Sequence, residues 1–242
     1  MRRSRGARKV PGVKIFRNRA EAGVALAERV RALGLEGEVV VLGLPRGGVP
    51  VAREVAAALG APLDVLVVRK IGAPFNPELA LGAIAYGGVT VYNEQLLAEL
   101  GLEEAELDGV RRREQAELER RERAYRGERS VPDVAGKTVV LVDDGMATGA
   151  TMQAAVTATR ALQPKRIVVA APTSARDTAE RLVAVADHVV TLETPEPYFG
   201  VGAWYQEFPQ LTDEEVVRCL EEQAGRGLGP RRSAPGRPRR HA

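Results

Sequence analysis

The chain has 242 residues, of which 45% are hydrophobic and 28% charged, so it can fill the core of one large domain and does not read as disordered. No apolar run approaches the roughly 18–20 residues of a membrane-spanning helix, and the basic start, residues 1–12, leads into no apolar stretch that would make it a secretory signal. A single cysteine, Cys219, excludes a disulfide framework and a cysteine-rich zinc site, which leaves a reduced, cytoplasmic α/β protein as the expectation.

Charge is spread unevenly. Residues 1–9 carry five positive charges (Arg2, Arg3, Arg5, Arg8, Lys9) and residues 225–242 carry six arginines, with no acid in either segment. The net charge of +3 therefore belongs to two basic tails, and the body between them is acidic. The tails (1–12 and 225–242), rich in Gly, Pro, Ser and Arg, are expected to be disordered. Their arginines could attract phosphates without sequence preference. No aromatic interleaves them to stack on a base, so solvated tails are favoured over a nucleic-acid role.

From Arg19 to Leu33 the apolar residues Val24, Leu26, Ala27 and Val30 form a helical stripe. Glu38–Gly43 reads as a buried strand, broken by Leu44-Pro45-Arg46-Gly47-Gly48 before a helix over Val51–Leu59 and a second strand over Leu63–Val68. Ala83–Tyr92, with Gly87-Gly88 in its middle, predicts a β-hairpin. Glu94–Arg126 is helical and divided at Gly101-Leu102. Its second half, Glu103–Arg126, is densely charged, which suits a homodimer surface or a solvated face equally. Strand Thr138–Val142, helix Ala150–Leu162, strand Arg166–Ala171, helix Ala175–Val185 and strand His188–Leu192 follow. Pro195–Leu211, rich in Pro, Gly and aromatics, precedes a last helix begun by Thr212, with Glu215 completing a capping box. Apolar strands alternating with helices imply a three-layer α/β sandwich around a mostly parallel sheet. One domain is expected over residues 13–224, with a β-hairpin and helical insertion at about 72–130 and a small hood at about 195–211. Ligands of such sheets gather at the carboxyl ends of the strands, here the loops after Gly43, Val68, Val142 and Ala171.

The strongest signal is the run from Val139 to Thr151. Four apolar residues end in Asp143 and Asp144, and then Gly145, Met146, Ala147, Thr148, Gly149, Ala150 and Thr151 open a helix. A turn into a helix N-terminus presents unpaired N–H groups and a positive dipole end, suited to a phosphate. Thr148 and Thr151 add hydroxyls, and Gly149 allows close backbone approach. The two acids stand too near that phosphate to bind it. They suit the hydroxyls of a neighbouring diol, or a metal that holds them. A helix cap would account for one acid or one threonine, but not for both acids with Thr-Gly-x-Thr.

At these residues the chain resembles the type I phosphoribosyltransferases, whose signature is an apolar strand, two acids and a Thr-Gly loop that holds the ribose phosphate of phosphoribosyl pyrophosphate. The resemblance places Asp143 and Asp144 on the ribose diol, with any metal met indirectly through ribose or water. It places Met146–Thr151 on the 5′-phosphate. Gly145 departs from the aliphatic residue usual there, which suggests a looser turn. Gly43-Leu44-Pro45-Arg46-Gly47-Gly48 is similar to the family's pyrophosphate loop, although an ordinary strand-to-helix turn would read the same. Arg69-Lys70 is similar to the cationic pair that meets the pyrophosphate, and Gly72–Tyr92 stands where the family has a mobile loop. The matches run from about Glu38 to Leu192 in the family's order.

The resemblance implies attack on the anomeric carbon, with pyrophosphate leaving and the configuration inverted. Magnesium (Mg2+), Arg69, Lys70 and the Arg46-Gly47-Gly48 loop would offset the leaving charge, while Asp143 and Asp144 hold the ribose. The acceptor would be a small nitrogenous base. The carboxylate that 6-oxopurine enzymes carry is replaced by Ala147, and Asp-Asp-x-x-Ala-Thr-Gly-x-Thr looks more like adenine phosphoribosyltransferase. The long charged helix does not fit that enzyme. Tyr198, Phe199, Val201, Trp204, Tyr205 and Phe208 are candidates for the acceptor pocket, Trp204 and Tyr198 foremost, or alternatively pack the hood onto the core. A rival reading is a non-catalytic regulator that senses the nucleotide and uses its tails on nucleic acid. A sugar-phosphate hydrolase would need a water-activating base that the sequence does not offer.

Overall fold

In chain order the elements are α1 (Arg19–Arg31), β1 (Val39–Gly43), α2 (Gly48–Leu59), β2 (Leu63–Val65), β3 (Val68–Ala73), β4 (Asn76–Ala85), β5 (Thr90–Tyr92), α3 (Glu94–Leu100) and α4 (Asp108–Arg126). Then come β6 (Thr138–Val142), α5 (Ala150–Ala161), β7 (Arg166–Thr173), α6 (Arg176–Val183), β8 (His188–Glu193) and α7 (Asp213–Gly227). This computed structural model describes residues 14–85, 88–127, 129 and 132–227. Gly87 of the expected hairpin and both basic tails, apart from residues 225–227, lie outside the described residues.

The central sheet is wholly parallel and ordered β2-β1-β6-β7-β8. Its strands are runs of Val, Leu and Ile whose alternate side chains meet opposite layers. Val40, Leu42, Val139 and Leu141 face Met152, Ala155 and Val156 of α5. Val41, Val140 and Val142 face Leu26, Ala27 and Val30 of α1 and Val51 and Val55 of α2. This is the three-layer architecture that the apolar strands imply. Local signals set the helix ends: Asn18 accepts the Glu21 N–H at 3.0 Å to start α1. Gly60 closes α2 at φ +62°. Thr212 and Glu215 exchange hydrogen bonds of 2.8 and 3.3 Å at the start of α7. Among the described residues no helix is long and apolar enough to cross a membrane.

The second expected strand, Leu63–Val68, is divided. β2 stops at Val65, and Val68 begins β3 of a separate antiparallel sheet ordered β3-β4-β5. A run that is apolar except for Asp64 gives no sign of where the chain leaves the sheet. Where it leaves, the outward edge of β2 is capped by Arg126 at the end of α4. Its guanidinium donates to the Val65 carbonyl and, at 3.0 Å, to the Asp64 carboxylate. The charged helix α4 is thus more than a solvated face. Leu118 and Tyr125 are buried in a second core with Ile71, Leu81, Ile84 and Leu220.

Arg126 has a side chain only 3% exposed and also pairs with Glu122 at 3.1 Å. Replacing it with alanine strands Asp64 and the Val65 carbonyl in the interior. We expect Arg126→Ala to cost about 3–5 kcal/mol in urea denaturation; a loss under about 1 kcal/mol would show that this junction is held by packing alone.

Candidate active site

Chain order reverses between β1 and β6: β1 is followed by β2 on one side, while β6, β7 and β8 extend on the other. A crevice forms at the carboxyl ends of the strands flanking such a reversal. The two strands that flank it carry the Gly43–Gly48 loop and the Asp143–Thr151 loop. The loops are fastened together, with Leu44 N–H donating to Val142 O at 2.8 Å. Glycine is what lets them touch. A Cβ on Gly48 would stand 2.4 Å from Val142 O, and one on Gly47 would stand 2.0 Å from Asp144 Oδ2.

The two acids differ in surroundings. Burial and the neighbouring Asp144 carboxylate hold Asp143 well above the usual carboxylate range. Burial also raises Asp144, opposed by a guanidinium absent from the motif: Arg19 Nε donates to Asp144 Oδ2 at 2.7 Å. Tyr205 Oη donates to the Asp144 carbonyl at 2.6 Å. Asp144 is 8% exposed and gripped from several sides, whereas Asp143 is half-buried. Among the described residues no three His, Cys, Asp or Glu side chains form a metal cage. A cation here would rely on the acid pair, whose crowded carboxylates suit one, together with ligand oxygens.

Met146 is turned away from the open part of the loop. Its side chain is buried, its N–H donates to Thr173 O at 2.9 Å and its carbonyl accepts from Ala175 N at 2.9 Å. The open part is Ala147–Thr151, where Ala147, Thr148, Ala150 and Thr151 are exposed at the start of α5. α6 props this loop from behind. Thr178 Oγ1 donates to Ala147 O at 2.7 Å and Arg181 Nη2 to Thr148 O at 3.2 Å. Gly149 adopts φ +74°, and a Cβ there would lie 2.5 Å from Thr178 Cγ2, so only glycine fits. Gly145 is not a loose point either. Val201 of the hood occupies its missing side chain's place, 2.5 Å from where a Cβ would stand.

Thr148, Ala150 and Thr151 line a cleft of about 840 Å³ with Arg69 and Lys70 of β3. The far wall is the insertion: Glu106, Gly109, Val110, Arg113 and Glu114. The structure thus brings the cationic pair to the Thr148–Thr151 loop, although Val68-Arg69-Lys70 belongs to the antiparallel sheet and not to a core strand's end. Arg69 is already engaged. Its Nε and Nη2 both donate to Glu114 Oε2, at 2.8 and 2.5 Å. Arg46 follows a cis Pro45–Arg46 peptide and is exposed, its Nη1 4.0 Å from Asp213 Oδ1. The acids do not line the cleft; they sit at the other end of the same loop.

The hood corrects one expectation. Trp204 is 2% exposed and shares a cluster with Phe16 and Tyr205, so its ring offers no face to a ligand. Tyr198 Oη is 3.0 Å from Thr173 Oγ1, and burial pushes its phenol up to about 12. Phe199, by contrast, is 64% exposed. Arg19 and Glu114 escaped sequence reading because each meets its partner from a distant element; the one local sign for Arg19 was its place behind the Asn18 cap.

Gly47 is helical at φ −63°, so Gly47→Ala adds volume without backbone strain. The methyl group must displace Asp144 or the loop, and we expect a loss of about 1–3 kcal/mol in thermal unfolding. An unchanged midpoint would show that the two loops are not closely packed.

Comparison with known proteins agrees with this geometry. The phosphoribosyl transferase domain model matches residues 17–207. Two Mycobacterium tuberculosis proteins, provisionally named phosphoribosyl transferases, are 49% identical over 210 residues, 86% of this chain and 47% of theirs. The chain therefore spans about half the length of the curated relatives it matches. The crystal structure of TT1426 from Thermus thermophilus is similar at 46% identity and a TM-score of 0.81, covering 86% of this chain and 99% of that one. With a matched segment that contains the acid pair, the glycine loop, the Arg-Lys pair and most of the hood, the chain belongs to the phosphoribosyl transferase domain family.

Proposed function

We propose that the protein transfers the phosphoribosyl group of phosphoribosyl pyrophosphate to a nitrogenous base, with purines as first candidates, and releases pyrophosphate. The supporting observation is the shared cleft, in which the open helix N-terminus at Thr148–Thr151 faces Arg69 and Lys70. A donor with one phosphate and one diphosphate needs two such anion sites separated by a place for hydroxyls. Asp143 and Asp144 stand in the same loop as the first.

In this reading the amides of Ala147–Thr151 bind the 5′-phosphate at the positive end of α5. Asp143 accepts from a ribose hydroxyl. The anomeric C–O bond breaks with its electron pair going to pyrophosphate, the base nitrogen bonds to the same carbon from the opposite face, and the displaced proton leaves with solvent. Lys70 and Arg69 offset the charge growing on the leaving group, Arg69 exchanging Glu114 for a diphosphate oxygen. Magnesium, when bound, supplies further positive charge to the diphosphate, and the raised, crowded Asp143 carboxyl is a group that a nearby cation would ionise. Positioning and electrostatics carry this chemistry, since no covalent nucleophile is required.

Asp143→Asn leaves the Asp144–Arg19 pair in place and removes one acceptor of a ribose hydroxyl. We expect its calorimetric affinity for magnesium phosphoribosyl pyrophosphate to fall roughly ten-fold or more, with unchanged circular dichroism. Equal affinity in the two proteins would overturn the assignment of the acids. Pyrophosphate assayed after incubation with the donor, magnesium and a panel of bases identifies the acceptor; release with none of them would favour the sensor reading.

A further inference from the structure

The proposed reaction leaves one buried charge without a task. Arg19, the first residue of α1, reaches Asp144 from 125 positions away in sequence. Its Nε donates to Asp144 Oδ2 at 2.7 Å, with the two side chains only 10% and 12% exposed. Its Nη1 donates to the Pro209 carbonyl at 2.9 Å, and its Cζ lies 3.8 Å from the centre of the Phe208 ring. Phe208 stacks on Tyr205 at 4.9 Å, and Tyr205 Oη holds the Asp144 backbone carbonyl. Gly47 backs the carboxylate on its other side.

This arrangement exceeds what is needed to seat the hood. The hood is already tied to the N-terminal segment by three backbone bonds of 2.9 Å each: Phe16 N–H to Trp204 O, Gln206 N–H to Phe16 O and Glu207 N–H to Arg17 O. Phe16, Trp204 and Tyr205 bury an apolar cluster beside them. A buried ion pair adds little net stability compared with apolar side chains in the same space. What it does add is orientation. Two donor directions and a ring face leave the Arg19 fork one placement, and that placement fixes one oxygen of Asp144.

We infer that Arg19 is a positioning residue for donor binding. It pins Asp144 Oδ2 and leaves the other oxygen to meet a ribose hydroxyl. Through Phe208 and Pro209 it also ties the place of the hood to the aim of that carboxylate. The assignment rests on the phosphoribosyl pyrophosphate reading above.

The test uses the full chain, magnesium phosphoribosyl pyrophosphate as calorimetric probe, and the emission of Trp204, the only tryptophan. Arg19→Gln is expected to bind the donor roughly ten-fold or more weakly, with the Trp204 emission maximum unmoved because the hood remains seated. Arg19→Lys restores the charge without the fork and should recover part of that loss. Binding by Arg19→Gln within about two-fold of the unaltered protein overturns the inference. So does a loss accompanied by a red shift of Trp204, which marks a merely structural role. If Arg19→Gln does not fold, Phe208→Leu takes its place, removing the ring face while keeping both charges. A few-fold weaker donor then supports the assignment, and unchanged affinity overturns it. Failure of the unaltered protein to bind the donor sinks the transferase reading and this inference with it. Binding by the unaltered protein with no Arg19 effect sinks the inference alone.

Discussion

A carboxylate and a glycine share one small space between β1 and β6, and the rest of the site is arranged around that contact. Asp144 Oδ2 lies where a Gly47 methyl group would be, so the acid turn and the glycine loop can only be laid down as a pair. The parallel register that sets Gly43 opposite Val142 ends both strands at the same height. The loops leaving them therefore meet and do not diverge. Two residues that look like local turn chemistry in sequence are thus constrained by a neighbour about a hundred positions away.

The same logic governs the charges. The carboxyl end of the sheet gathers two adjacent acids in an interior that disfavours ionised groups. Arg19 compensates one of them, leaving Asp143 as the strained member. In the neighbouring cleft the balance is reversed: Arg69 and Lys70 bring cations, and α4 brings Glu114 to Arg69. An anionic ligand entering it would meet an Arg69 that is already paired. On the proposed reaction the diphosphate competes with Glu114, so the insertion helix would set how readily Arg69 is released.

Much of this was legible from local pattern. Strands and helices of the central sheet announce themselves through apolar runs and spaced stripes, and the Thr212–Glu215 capping box formed as its spacing implied. The acid pair and Thr-Gly loop fell at a strand end because four buried residues in a row have nowhere else to stop. What was not legible depends on partners remote in sequence. The edge of β2 is capped by Arg126, and Asp144 is paired by Arg19 and Arg69 by Glu114. Trp204 misled because an aromatic in an irregular stretch reads the same whether it stacks on a ligand or fills a core. Phe16, on a segment with little periodicity of its own, is what buries it.

Gly145 shows how closely the hood and the loop pack. The turn has no side chain there, and Val201 of the hood fills the volume. The wall is completed by a residue from a different element. On the proposed reaction, that closes the hood side of the turn, where Tyr198 is bonded to Thr173 and Trp204 is buried. The loop is open instead at Ala147 and Thr148, and Thr148 borders the cleft against α4. On that same reading the edge between Thr148 and α4 is taken by the phosphate and the diphosphate, so an acceptor that meets the anomeric carbon from the opposite face has to enter from outside this cleft.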